Sequence, residues 1–324
     1  MVEEAAAAKA VDGADTDARA TYRALRISMV ALVLLLAVSI VELARRHGHV
    51  EGSISAYYYT EAHGVFIAAL CALGICLIAY KGHTVTEDVL LDVSGILAFV
   101  VALVPTKGEH IRYPALPTTS NASIGVENNI FALLIAVLLG FVIYGIYASF
   151  GKWRGGGNAG TSPPPADSMI SQALDNVGTL MDRRPWLTSV GAAAKWLLLA
   201  TPVVLTCVGG YWFLRDLAGF TEHAHGRAAT VMFIALAVVV LHYAVYALRR
   251  VRHGTSHLIY AVLYAVAGLT MIVTGALAFC AYRRHPGGDL TIFWYEVALL
   301  AAFSAFWLIQ TWDLWTSDWY AQKS

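Results

Sequence analysis

Histidines and carboxylates recur at the starts of apolar runs in this chain: Glu61 and His63, then Glu222, His223 and His225, and finally Glu296. Glu42, Asn128, Asn129 and Arg227 fall at the same end of the neighbouring runs. Neutral imidazole and carboxylate are ordinary zinc ligands. Histidine also titrates near neutral pH, so the same groups could relay protons or bind a small ligand. Interfacial histidines that only satisfy loop hydrogen bonds are the plain alternative. His223 and His225, at i and i+2, point to different sides of a helix, whereas a helical metal pair wants i and i+4, and no H-E-x-x-H occurs. The candidate ligand- or proton-binding set is therefore Glu61, His63, Glu222, His225 and Glu296. Neither a catalytic residue, a metal ligand nor a cofactor can be assigned.

A second polar set lies toward the opposite ends of the runs: Asp92, Lys195, His242, Gln310 and Asp313. Asp92 and Lys195 fall at similar depth, and an ion pair between them would lower the cost of both charges. Snorkelling of Lys195 to the headgroups is the competing reading. Gln310 and Asp313, three residues apart and followed by Trp315 and Trp319, read as an interfacial helix end.

The elements that must position these groups follow from composition. Of 324 residues, 58% are hydrophobic and 14% charged, against roughly 25% charged in a soluble domain. Mean hydropathy is +0.61, and several apolar runs exceed the roughly 18 residues that mark a bilayer span. These values exclude an ordinary soluble protein. The 22 basic residues equal the 22 acidic ones, so no basic stripe is available to phosphates and nucleic acid is excluded as an expected partner. Cys71, Cys76, Cys207 and Cys280 all fall in apolar runs and suggest no disulfide framework. Neither a G-x-S-x-G elbow nor a phosphate loop is present.

The expected fold is an all-α, polytopic transmembrane bundle. Spans fall at about 25–43, 62–80, 88–105, 129–149, 190–213, 226–248, 257–280 and 292–312, each near the length that crosses hydrocarbon. The expected organisation is a disordered cytoplasmic tail over 1–22, helices one to four over 23–150, a cytoplasmic linker over 151–188, helices five to eight over 189–313, and a tail over 314–324. The first run lacks a cleavage site and reads as a retained span. The Lys and Arg bias favours both termini in the cytoplasm, opposed by Arg45-Arg46 and Arg283-Arg284. The linker opens with Gly155-Gly156-Gly157 and Pro163-Pro164-Pro165, then carries a stripe of Ile170, Leu174, Val177 and Met181. That stripe suggests a short amphipathic helix over Ser168 to Asp182, lying on the membrane or on the protein itself.

The linker divides the spans into four and four, and the halves share a signal. Thr60-Glu61-Ala62-His63-Gly64 precedes span two, and Thr221-Glu222-His223-Ala224-His225-Gly226 precedes span six. A duplication of four spans would give two units of the same orientation, related by an axis along the membrane normal, with His63 equivalent to His225. Gly64, Ala68, Ala72 and Cys76 form a small-residue ridge for close helix packing. Tyr57-Tyr58-Tyr59 and Trp294-Tyr295 suit an aromatic belt at the outer interface.

Ser53-Ile54-Ser55-Ala56-Tyr57-Tyr58-Tyr59-Thr60, continuing through Phe66, with Val104-Pro105-Thr106 closing span three, resembles a family of uncharacterised bacterial multi-pass membrane proteins. The resemblance covers a minor part of the chain and implies a bacterial plasma-membrane protein without implying a reaction. Family members carry an arginine where this chain has His63. The Ile-Ser pair before a polar start to a span with Phe66 is also similar to the Frag1/DRAM/Sfk1 group of membrane proteins, which have fewer spans.

The functional expectation is a membrane protein that binds or translocates a small solute or a proton through a polar mouth on the non-cytoplasmic side. A membrane-embedded metal-dependent lipid hydrolase and a structural or sensory membrane protein are the alternatives. Expected partners are membrane lipids and the solute or proton, with self-association left open.

Overall fold

The computed structural model describes residues 2–82, 84–106, 114–116, 122–154, 185–250, 256–284 and 290–321. Among these residues the chain forms eight α-helices and no strand: α1 (Val2–His47), α2 (His63–Ala79), α3 (Val85–Leu103), α4 (Ala122–Arg154), α5 (Pro185–Arg215), α6 (Leu217–Arg250), α7 (Ser256–Arg284) and α8 (Leu290–Ala321). A 3-10 turn, Ser55–Tyr59, lies between α1 and α2. Five helical stretches are long and apolar enough to cross a membrane: Arg19–His47, Ile124–Ile146, Leu217–Arg249, Leu258–Ala281 and Leu290–Leu314. His63–Ala79 is a shorter apolar helix. These helices build an integral membrane protein, because only hydrocarbon makes their outward side chains tolerable. On α4, Ile124, Ile143 and Tyr144 are 66 to 73% exposed, a surface that water would penalise and lipid does not.

Local signals explain the element ends. Gly48, at φ +64°, takes the left-handed conformation that stops α1 after His47. Thr84 caps α3, its hydroxyl accepting from the Glu87 N–H at 3.2 Å, the first half of a capping box written Thr-x-x-Glu. Asp216 separates α5 from α6 and accepts from the Gly219 N–H at 2.9 Å. α1 continues back through the residues whose composition suggests a disordered tail. Ala5 to Ala8 are strong helix formers, and extending a helix already held by a span costs far less than nucleating one.

The helices close a ring. α1 packs on α2, α2 on α3, α3 on α6, α6 on α7, α7 on α8, and α8 returns to α1. α4 and α5 stand outside it against α3, α6 and each other. The ring thus joins α1–α3 to α6–α8. The two segments paired in the sequence differ locally. His63 is the first residue of α2, whereas Thr221 to Gly226 lies inside α6. Within the ring a single large core runs through Met29, Leu36, Phe66, Leu77, Tyr264, Phe306 and Trp307.

Hydrocarbon gives helices no hydrophobic reason to associate, so close packing and buried polar bonds must hold the ring. The backbones of α2 and α3 come into direct contact. A Cβ on Gly74 would come within 2.8 Å of the Gly95 carbonyl oxygen, and a Cβ on Gly95 within 2.6 Å of the Gly74 carbonyl oxygen. The expected ridge of Gly64, Ala68, Ala72 and Cys76 is not this contact: Gly64 and Ala68 are exposed, and nothing lies within 4 Å of Gly64's open position. The two glycines that do meet sit on different helices, and single-helix spacing carries no sign of such a pair.

Candidate functional site

The 3-10 turn between α1 and α2 holds Ser55, a hydroxyl that nothing in the sequence sets apart from its neighbours. Ser53 Oγ accepts from the Ala56 N–H at 3.1 Å, and the Tyr57 N–H donates to the Ile54 carbonyl at 3.1 Å, winding the chain tightly. The three tyrosines then anchor it. Tyr57 Oη accepts from the Glu51 N–H at 3.3 Å, Tyr59 donates to the Thr106 carbonyl at 2.9 Å, and Tyr58 stacks edge-on against Tyr59 and Phe66. All three are buried in protein, not spread in an outer aromatic belt. Burial pushes the phenols of Tyr57 and Tyr58 up from their ordinary range. That of Tyr59 is pushed up to about 12, by burial first and by its neighbour Tyr58 second. Trp294, 62% exposed, keeps the position of a belt residue.

So anchored, the turn presents Ser55 and the Ile54 N–H to the ring interior. Glu296, in the second turn of α8, accepts from the Ile54 N–H and also faces the Ser55 N–H and hydroxyl. His225 reaches the same serine from α6. Its Nδ1 lies 2.7 Å from the Val104 carbonyl oxygen and its Nε2 2.9 Å from Ser55 Oγ. Val104 is the C-cap of α3, so the histidine satisfies a carbonyl that the helix end leaves open. A carbonyl can only accept, which fixes the proton on Nδ1. In the neutral ring Nε2 is then an acceptor, and Ser55 O–H donates to it.

Beneath this polar group lies an apolar cavity of about 80 Å³. Leu36 from α1, Phe66 and Leu70 from α2, Met232 and Phe233 from α6, and Phe303 from α8 form much of its wall, with Ser55 and Glu296 at its polar end. The volume is about half that of an engineered cavity that stays dry and admits benzene. It suits a small apolar body or the end of a chain, with its polar head at Glu296.

Of the five candidate residues, the fold brings His225 and Glu296 together on one serine. Glu61 is exposed, with an oxygen 3.7 Å from His47 Nε2. His63 donates from Nδ1 to the Tyr58 carbonyl and packs edge-on to the Tyr58 ring at 4.5 Å between centroids. Glu222 and His223 are exposed on α6. Among the described residues no three of His, Cys, Asp and Glu are grouped to hold a metal ion. Asp92 lies 3.5 Å from Lys81 Nζ, while the side chain of Lys195 lies outside the described residues. So does the amphipathic segment Ser168 to Asp182.

Ser55 was missed because its neighbours Ser53 and Thr60 are equally polar, and only the turn decides which hydroxyl faces inward. The signal available was the run itself, small hydroxyls and three aromatics between two spans, where a plain loop needs neither. No protein-family model matches this chain, nor does any curated protein or solved structure.

Proposed function

We propose that this is an eight-crossing membrane protein, with both termini cytoplasmic, that binds a small solute or passes a proton at Glu296, Ser55 and His225 on the non-cytoplasmic side. One observation carries the reading. A half-buried carboxylate and a buried imidazole, from two different helices of the ring, share one serine hydroxyl at the polar end of an apolar cavity. Buried ionisable groups at membrane depth are costly and mark function more often than structure.

The geometry supports two proton arrangements. In the first, Glu296 is protonated and donates to Ser55 Oγ, while Ser55 donates to neutral His225. In the second, the Glu296 proton has passed to Ser55 Oγ as the serine proton passed to His225 Nε2. That leaves a carboxylate that accepts from Ser55 and an imidazolium that donates to it. No atom other than the protons moves, and rotation of the serine hydroxyl resets the relay. A cationic or hydrogen-bond-donating head of a solute in the cavity would favour the ionised Glu296.

The test is proton flux into liposomes holding the purified chain and a trapped pH-sensitive dye, driven by a potassium diffusion potential. Wild type is expected to exceed empty vesicles, with Glu296→Gln and His225→Ala reducing flux at least tenfold while both variants still fold. Wild-type flux no faster than empty vesicles, or unchanged flux in His225→Ala, would overturn the relay.

A further inference from the structure

The cavity beneath Glu296 has a shape and a charge that together restrict what can occupy it. On α2 its wall is made by Phe66, Leu70, Leu73 and Leu77, whose i, i+4, i+7, i+11 spacing is one face of a helix. At about 1.5 Å per residue that face runs for about 16 Å. A volume of about 80 Å³ drawn out along such a face is a narrow slot, which takes an unbranched chain more readily than a ring. The engineered cavity that admits six-carbon benzene holds about 150 Å³, so in proportion this one has room for about three or four carbons.

The polar end sets the charge. Glu296 is the one ionisable side chain in the wall among the described residues. Its partners are the Ile54 N–H and the N–H and hydroxyl of Ser55, all of them neutral. The donors there are already used, because both N–H groups point at Glu296 and the Ser55 hydroxyl donates to His225 Nε2. An anionic head would meet a carboxylate and no free donor. The occupant must bring the donors itself, and a positive head serves best, since a carboxylate facing an apolar space is costly until a cation pairs with it. Acceptor capacity remains for it. A carboxylate accepts at about four lone-pair sites, and a serine oxygen that donates its proton still accepts. Glu296 and Ser55 Oγ can each take one N–H of an ammonium.

We infer that the solute of this cavity is a short, unbranched primary alkylammonium, with its charge on Glu296 and Ser55 and its alkyl chain in the slot. This solute class rests on the reading of Glu296 and the cavity as a binding site, and it holds whether or not protons pass between Glu296 and His225. An ammonium also heads phosphatidylethanolamine, but there a phosphate follows two carbons on and would have to enter an apolar slot without donors or lie against Glu296. The free amine is the source that fits.

The test is equilibrium dialysis of radiolabelled n-butylamine at neutral pH against the full chain purified in detergent, as wild type, Glu296→Gln and Ala229→Leu. Unlabelled amines and phosphatidylethanolamine serve as competitors. Saturable binding of one butylamine per chain is expected, weakened at least tenfold in both variants. Affinity should rise about fourfold per methylene from methylamine to about butylamine and then stop rising, and cyclohexylamine should compete more weakly than n-butylamine. Glu296→Gln removes the charge and keeps an acceptor for Ile54, while Ala229→Leu fills the slot from its α6 wall and leaves the carboxylate in place. Either folded variant alone therefore tests the site. No saturable binding to wild type, binding that a folded variant retains, or an affinity indifferent to chain length would each overturn the inference. Displacement by phosphatidylethanolamine as readily as by free amine would assign the site to a lipid head and overturn it too. Proton flux measured on the same preparations separates the two readings. Flux without amine binding overturns this solute class and leaves the relay standing, whereas amine binding without flux supports the solute class and overturns the relay.

Discussion

His225 and Ser55 lie 170 residues apart in the chain and 2.9 Å apart in the fold. With the 2.7 Å contact to Val104, the imidazole joins α6, the end of α3 and the turn before α2 at one point. His225→Ala removes both hydrogen bonds and is expected to cost about 2 to 3 kcal/mol, while Ser55→Ala removes one and costs about 1 kcal/mol. The double variant should lose less than the sum, with a coupling of about 0.5 to 1.5 kcal/mol. Unfolding titrations of the four proteins in mixed detergent micelles measure this. Strict additivity would show that the two residues act independently.

Glu296 has a structural duty besides its charge, since its carboxylate satisfies the Ile54 N–H. Glu296→Gln keeps an acceptor oxygen there and should fold with a loss under about 1 kcal/mol, whereas Glu296→Leu strands a buried donor and should cost about 1 to 3 kcal/mol. Comparing the two in the same unfolding assay separates the structural role from the ionisable one. Equal losses would place all of the effect in the charge.

The contact of Gly74 with Gly95 leaves no room for a methyl group. Gly95→Ala would meet a carbonyl oxygen at 2.6 Å, a backbone atom that cannot turn aside, and is expected to cost about 1 to 3 kcal/mol. Gly64→Ala meets open space and should be neutral or stabilise by up to about 1 kcal/mol, through the unfolded state. Thermal denaturation of both variants in one detergent reads the difference. Equal midpoints would contradict the packing described for α2 and α3.

The buried tyrosines set an alkaline limit. Burial holds the Tyr59 phenol up to about 12, above its ordinary value of 10.0, so between these values the unfolded chain has lost a proton that the folded chain retains. Stability is therefore fully present below about pH 10 and falls as pH rises toward 12. Tyr57 and Tyr58 act in the same direction. Absorbance of phenolate followed against pH, beside an unfolding probe, is expected to show these three ionising only as the protein opens. Early ionisation with the fold intact would contradict their burial.

Much of the fold was legible because spans are written in composition. The expected starts and ends of α2 and α3 lie close to those observed, since Thr84 and the flanking polar residues are local signals. The ring order was not legible, because which apolar faces meet depends on packing between residues far apart, as with Gly74 and Gly95. The site was half legible. His225 and Glu296 stand out as ionisable groups beside apolar runs, yet so do Glu61 and Glu222, which the fold leaves exposed. Gln310 and Asp313 read as a wet helix end and are instead buried. Tyr264, whose hydroxyl meets Asp313, comes from another helix.

The touching backbones of α2 and α3 also limit how the molecule can move. Two helices locked through glycine carbonyls cannot slide past one another without a clash, so they must travel as a single stiff strut. Any breathing that widens the cavity must then come from a wall with freer joints. α1 supplies Leu36 to that wall and packs against α2 and α8. Its other face, with Leu34, Val38 and Val41 exposed, has no helix behind it among the described residues, so that wall of the cavity is held from one side alone.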